Sequence, residues 1–257
     1  MKIGVCVGTD INRALFAKKV GYDFVESNCQ SIVKLSDDEL QSFKNLGIPV
    51  LSANCFIGLR VVGDEFDACA VSEYLDRLFE RSSYLGMKYL VFGSSGARRK
   101  PDNMSLEQTR DQIAVFLKDF VAPRAEKYGI YIAVEPLRKE ECNVINTVPQ
   151  AIVIAETVNS PYIKVLADVK HMVSEDDPLD KIPSYEGMIV HAHTSNPTPG
   201  LDPKYKRTYP REGDLFDQDS FFLPLIQAGV EQCAIEADVI DFEDDAEASF
   251  ALLKKYR

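Results

Sequence analysis

The feature that most constrains this chain is a mark that recurs along it. A helical pattern ends in glycine, and a short apolar run follows within a few residues. The instances are VGYDFVE at Gly21, LGIPVLS at Gly47, LGMKYLVFG at Gly86, YGIYIAVE at Gly129, EGMIVHAH at Gly187 and AGVEQCAIE at Gly229. Glycine closes a helix in the left-handed conformation at little steric cost, so each mark reads as a helix end feeding a buried strand. The opening run Lys2 to Val7 and the run Ile163 to Asp168 bring the expected strands to eight. All are short, rich in Val and Ile and apolar on both faces, as parallel strands covered on both sides should be. Helical spacing fills the intervals, with Val71, Tyr74, Leu75, Leu78, Phe79 and Leu85 before Gly86, and Ala114, Leu117, Val121 and Ala125 before Gly129. Ser36 with Glu39, and Ser105 with Gln108, form capping boxes that open two of the helices.

Eightfold alternation of strand and helix predicts an α/β chain folded as one closed (β/α)8 TIM barrel over residues 1–257. An open doubly wound sheet would carry a glycine-rich turn after its first strand, and GTDINRA after Val7 is not one. The length of 257 residues suits a single barrel. The long irregular stretch is Thr194 to Asp219, after the seventh strand.

Four of the apolar runs end in a side chain able to hold a metal. These are Glu135 in IAVEP, Asp168 in VLAD, His193 in IVHAH and Glu236 in CAIE. In a barrel, strands five to eight would bring their C-terminal ends to one face, where active sites of this fold sit. Adjacent strands lie roughly 5 Å apart, so neighbouring ends can reach one ion. A charge at the end of a buried strand is costly unless paired or metal-bound, and four in succession favour one divalent metal ion. Three carboxylates and one imidazole suit Mn²⁺, Mg²⁺ or Co²⁺, with Zn²⁺ also compatible.

The net charge of −11 argues against a nucleic-acid partner. No apolar run is long enough to span a bilayer, and MKIGVCVGTD lacks the pattern of a signal peptide, so a cytoplasmic location and no membrane partner are expected. The six cysteines form no C-x-x-C pair and read as reduced thiols. Against this acidic background, GSSGARRK carries Arg98, Arg99 and Lys100, and KYKRTYPR carries Lys204, Lys206, Arg207 and Arg211. Two basic loops on the catalytic face, one after strand seven, where barrels often bind phosphate, predict an anionic sugar-like substrate held by Arg207 and Arg211.

The motifs carry a resemblance. Glu135-Pro136-Leu137-Arg138-Lys139-Glu140-Glu141 through Asn146-Thr147 resembles the E-P-L-N-R-x-E…N-T stretch of ketose 3-epimerases. Asp168 to Met172 looks like their D-x-x-H-M, His191-Ala-His193 like their H-x-H, and Pro210 to Asp214 like the P-G-x-G-D loop that follows. The family is that of the xylose isomerase-like barrels, which includes sugar isomerases and epimerases and, distantly, endonuclease IV. The resemblance implies that Glu135, Asp168, His193 and Glu236 are metal ligands. It implies that Glu135 and Glu236 also move protons on opposite faces of a sugar through a cis-enediolate, that Glu141 and His171 contact substrate, and that chains pair into homodimers or homotetramers. Arg138 and Lys139 depart from the family's Asn-Arg, and Arg211 replaces its first loop glycine. TSNPTPG lacks the arginine that ketohexose epimerases use on sugar hydroxyls.

Other residues keep more than one reading. His191 shares a face with His193 and either supports the ligands, fills the barrel or ligates. Glu26 and Asn54 either line the pocket or satisfy loop backbone. A metal-dependent lyase of a keto-polyol is the alternative activity. An endonuclease IV-like phosphodiesterase would need more than the three histidines present. A non-catalytic sugar-binding barrel would not need both Glu135 and Glu236.

Overall fold

The computed structural model describes residues 1–197 and 207–257. Eight strands are described: β1 (Lys2–Cys6), β2 (Phe24–Asn28), β3 (Val50–Asn54), β4 (Tyr89–Phe92), β5 (Tyr131–Val134), β6 (Ile163–Asp168), β7 (Ile189–Thr194) and β8 (Gln232–Ile235). They follow one another around a closed barrel in sequence order. Every pairing is parallel, and β1 closes on β8 through Lys2↔Gln232, Ile3↔Cys233, Gly4↔Ala234 and Val5↔Ile235. The eightfold alternation is therefore a TIM barrel, as the spacing of glycines and apolar runs required. All six marking glycines have positive φ, from 64° at Gly129 to 110° at Gly21. Gly86 shows the use: it ends the helix Ala68–Leu85 with its N–H on the carbonyls of Ser82 and Ser83.

The expected caps are present. Ser36 and Glu39, and Ser105 and Gln108, exchange side-chain and backbone hydrogen bonds at the starts of helices Asp37–Lys44 and Leu106–Val115. One helix departs from expectation. The run toward Gly129 is interrupted by a π-helical stretch, Phe116–Val121, before helix Ala122–Tyr128. Ala122 donates to Leu117, five residues back. Pro123 has no N–H to continue the ordinary ladder, and the wider turn accommodates it.

The main core lies between the strands and the surrounding helices, with Val25, Ile132, Val165 and Phe79 among its fully buried members. Val91, Ala133 and Leu166 form a separate small cluster. They lie two residues before Gly93, Glu135 and Asp168, so the strand period puts them one layer beneath the C-terminal rim inside the barrel. Below them the interior is aromatic. The Tyr89 ring stacks on His191 at 5.7 Å and on Tyr131 at 5.9 Å, and Phe24 lies 6.2 Å from His191.

Phe24 fills its space because its partner in register, Gly4, has no side chain. A Cβ on Gly4 would approach the Phe24 ring to 2.3 Å. Gly4→Ala should therefore destabilise the barrel by about 1–3 kcal/mol, the usual cost of overpacking. Urea unfolding checks this, and combining Gly4→Ala with Phe24→Leu should recover part of the loss.

Candidate metal centre and active-site cleft

The four predicted ligands meet. One ligand atom from each of Glu135, Asp168, His193 and Glu236 lies within 4.8 Å of the others. Glu135 and Glu236 directly follow β5 and β8, Asp168 ends β6, and His193 is paired with Asp168 in register. From His193 Nδ1, Glu236 Oε2 is 3.0 Å away, Glu135 Oε1 3.4 Å and Asp168 Oδ2 3.7 Å. His193 is fully buried, Asp168 and Glu135 nearly so.

Whether this ring suits a cation can be read from its own polar atoms. His193 Nδ1 and Glu135 Oε1 are buried and make no hydrogen bond, although Glu236 Oε2 stands close to Nδ1. Buried polar atoms are rarely left so. Once the imidazole is neutral, its Nδ1 lone pair converges with those of Glu135, Asp168 and Glu236, so the set fits a divalent ion with hard ligands. A cation already visits the ring. Arg207 sets Nη1 2.9 Å from Asp168 Oδ2 and Nη2 2.7 Å from Glu236 Oε2.

These charges move the acid groups apart. Burial, opposed by His193 and reinforced by Glu236, holds the Glu135 carboxyl above its ordinary range. Burial would also raise Glu236, but Arg207 and His193 outweigh it and keep that carboxyl low. Burial disfavours charge on His193, yet Glu26 and Glu236 prevail and push its imidazole well above the usual value. Two carboxyls with opposed tendencies across one cleft suit proton exchange.

The remaining predicted residues are placed as follows. His171 is buried, accepts from the Arg138 N–H at Nδ1, and turns Nε2 to 3.9 Å from Glu135 Oε1. Its own N–H donates to Asp168 Oδ1, so Asp168 caps the following turn with one oxygen and faces the ring with the other. Glu141 lines the cleft with Glu135, His171, Arg207 and Glu236, and its Oε1 accepts from Arg138 Nε at 2.6 Å. Asn54 also lines the cleft and donates to Glu236 Oε1 at 2.8 Å, so it orients that carboxylate and does not serve loop backbone. The cleft holds about 400 Å³, within the range of small-ligand sites.

Arg211 is a correction. Its guanidinium pairs with Asp244 and Asp245 at 2.6 and 2.7 Å, outside the cleft lining. The acidic first turn of helix Phe242–Leu253 draws it there. The first basic loop is a correction as well. Arg98 is fully buried, donates to the carbonyls of Phe92 and Glu135, and lies over the Phe92 ring at 5.2 Å. Arg99 donates to the Glu141 carbonyl, and Lys100 to those of Pro101 and Met104. Strand ends expose carbonyls that need donors when buried, and Arg98 supplies them, while Arg99 and Lys100 tie loop backbone. Lys204 and Lys206 lie outside the described residues.

Gly93 escaped the sequence reading, and Glu26 is a further correction. Gly93 faces Glu135, where a Cβ would fall 1.9 Å from Oε2. Glu26 is no cleft residue. It is fully buried within β2, and its carboxylate accepts from both His191 and His193. Its signal was an acid inside the apolar run FVESN, which needs a partner once the strand is buried.

The sequence profile described as xylose isomerase-like TIM barrel matches residues 14–256. The chain belongs to that family. It is 27% identical to a D-psicose 3-epimerase of Agrobacterium fabrum (strain C58) over 68% of its length, and that match spans 64% of the epimerase, just under two thirds. It is 26% identical to an inosose isomerase of Bacillus licheniformis, covering 83% of this chain and 78% of the relative. A crystal structure of the IOLI protein with a bound zinc atom superposes with a TM-score of 0.75 at 20% identity, covering 100% of this chain and 99% of that one.

Two outcomes follow for the ring. Gly93→Ala should displace the Glu135 carboxylate and weaken Mn²⁺ binding about 10–100-fold without unfolding the chain, measured by calorimetry. Below the raised pKa of His193 a proton occupies the imidazole, and a metal ion must displace it. Mn²⁺ binding should therefore release about one proton, and apparent affinity should climb with pH until the imidazole is neutral. Titrations in two buffers of different ionisation heat read that proton directly.

Proposed function

We propose that this chain is a divalent-metal-dependent isomerase or epimerase of a sugar or sugar-derived polyol, working by proton transfer through a cis-enediolate. The observation that carries this reading is the ring of Glu135, Asp168, His193 and Glu236, in which two buried atoms lack hydrogen bonds while their lone pairs converge. Mn²⁺, Mg²⁺ or Co²⁺, and also Zn²⁺, match the ligand set. Such an ion, when bound, polarises a substrate carbonyl and acidifies the neighbouring C–H.

The chain's own residues then move the proton. Glu135 and Glu236 rise from β5 and β8, so they approach a sugar in the cleft from different sides. One takes the proton from the carbon between carbonyl and hydroxyl, and the other returns it. Return to the opposite face epimerises; return to the adjacent carbon isomerises. Asn54 holds the Glu236 carboxylate by its Oε1, leaving Oε2 toward the ring. His171, with Nε2 toward Glu135, stands where it can bind a hydroxyl or steady the Glu135 proton. Glu141 offers a carboxylate to further hydroxyls along the wall.

The substrate is better read as uncharged than as anionic. Among the described residues, Arg207 is the one Lys or Arg lining the cleft, and Asp168 and Glu236 already balance it. Arg207 then serves as a hydroxyl donor. The psicose epimerase and inosose isomerase among the relatives carry names of polyhydroxylated carbonyl compounds, in line with this class.

Metal-loaded protein incubated in D₂O with uncharged ketoses and keto-polyols should place deuterium on the carbon next to the carbonyl, read by NMR. Glu135→Gln and Glu236→Gln should each lower the exchange rate by about 10²–10⁴-fold. Absence of deuterium across the panel, with loss of water from a substrate instead, would turn the reading to a lyase.

A further inference from the structure

Beneath the metal ring lies a carboxylate that the reaction does not use. Glu26 projects from β2 into the barrel and reaches β7 on the far side, with no exposed surface. A lone carboxylate there would carry a heavy desolvation cost. Its two oxygens instead meet four donors. Oε1 faces His193 Nε2 at 2.8 Å and Cys6 Sγ at 3.5 Å; Oε2 faces His191 Nε2 at 2.6 Å and Ser52 Oγ at 2.5 Å. An ionised carboxylate accepts at about four sites, so Glu26 is saturated.

The pattern decides how the imidazoles are protonated. Glu26 accepts only, so His191 and His193 must each carry hydrogen on Nε2. The lone pair of a neutral His193 then sits on Nδ1, the atom that faces Glu135, Asp168 and Glu236. His191 is held flat against Tyr89, with 10° between the ring planes, so the far side of the clamp does not rotate. We propose that Glu26 is a positioning residue which, with His191 as its anchor, locks His193 in the Nε2–H form and aims Nδ1 into the metal ring.

A competing arrangement uses the same atoms. Cys6, Glu26 and His193 also offer ligand atoms within 4.8 Å of one another. A second ion there would take Nε2 of His193 and break the clamp. The proposal rests on the metal-ring reading, but its test separates the two.

The probe is Zn²⁺, which leaves the protein diamagnetic. Long-range ¹⁵N–¹H correlation spectra of the metal-loaded wild type should show His191 and His193 as Nε2–H, with one Zn²⁺ per chain. Glu26→Gln keeps the shape but replaces one acceptor with a donor. It should shift one of the two imidazoles out of the Nε2–H form and weaken Zn²⁺ binding about 10–100-fold, with stoichiometry still one. Ser52→Ala, which removes a single donor, should keep both tautomers and cost less affinity. An Nδ1–H form of His193 in the wild type overturns the proposal even if Glu26→Gln does not fold. So do two Zn²⁺ per wild-type chain, or unchanged affinity and tautomers in Glu26→Gln. Failure of the wild type to bind metal at all sinks the ring reading, while the tautomers recorded without metal above the His193 pKa still judge the clamp.

Discussion

Pairing of β1 with β8 is the constraint on which the molecule depends. Four registered pairs, Lys2↔Gln232 to Val5↔Ile235, join the chain's first strand to its last strand. Closure leaves no sheet edge, and parallel direction sends every strand's C-terminal end to one rim. Glu135 and Glu236, more than a hundred residues apart in sequence, follow the two ends of the consecutively paired run β5 to β8, and the curvature of the closed sheet turns their side chains toward one another. The aromatic floor of Phe24, Tyr89 and Tyr131 belongs to the same geometry, since it fills the barrel below the rim.

Charge is layered along the barrel axis. At the rim, three carboxylates surround His193 Nδ1, and Arg207 balances two of them. One layer deeper, Glu26 meets the opposite edge of the same imidazole. His193 thus lies between two acidic centres, which is why its pKa rises despite complete burial. A divalent ion at the upper centre would satisfy it and let the imidazole relax to neutral, so that buried polar groups, costly when alone, would act as a preorganised ligand set.

The arginines show the same economy of pairing in the opposite sense. Arg98 is fully buried yet spends its donors on the carbonyls of Phe92 and Glu135, tying the end of β4 to the residue after β5. It therefore helps to hold the backbone from which the Glu135 side chain springs, and Gly93 beside it leaves room for that carboxylate. Arg211 fastens the segment after β7 to the first turn of the last long helix. Only Arg207, of the positively charged residues that the loops suggested and the structure describes, turns to the cleft.

The sequence by itself determined the barrel and the identities at its rim. Glycine-ended helices, two-faced apolar strands and their count are local properties, and they suffice for eight parallel strands and for the order Glu135, Asp168, His193, Glu236. The capping boxes at Ser36 and Ser105 were legible for the same reason, since their partners lie three residues away. Tertiary structure alone decided where the long polar side chains point. Arg98, Arg211 and Glu26 each have a partner 33 or more residues distant, or a backbone carbonyl that no sequence pattern marks. A run of basic residues has the same appearance whether it faces substrate or props up a strand end. Which it does depends on the unpaired carbonyls and carboxylates that closure brings within reach, and that is a property of the folded barrel.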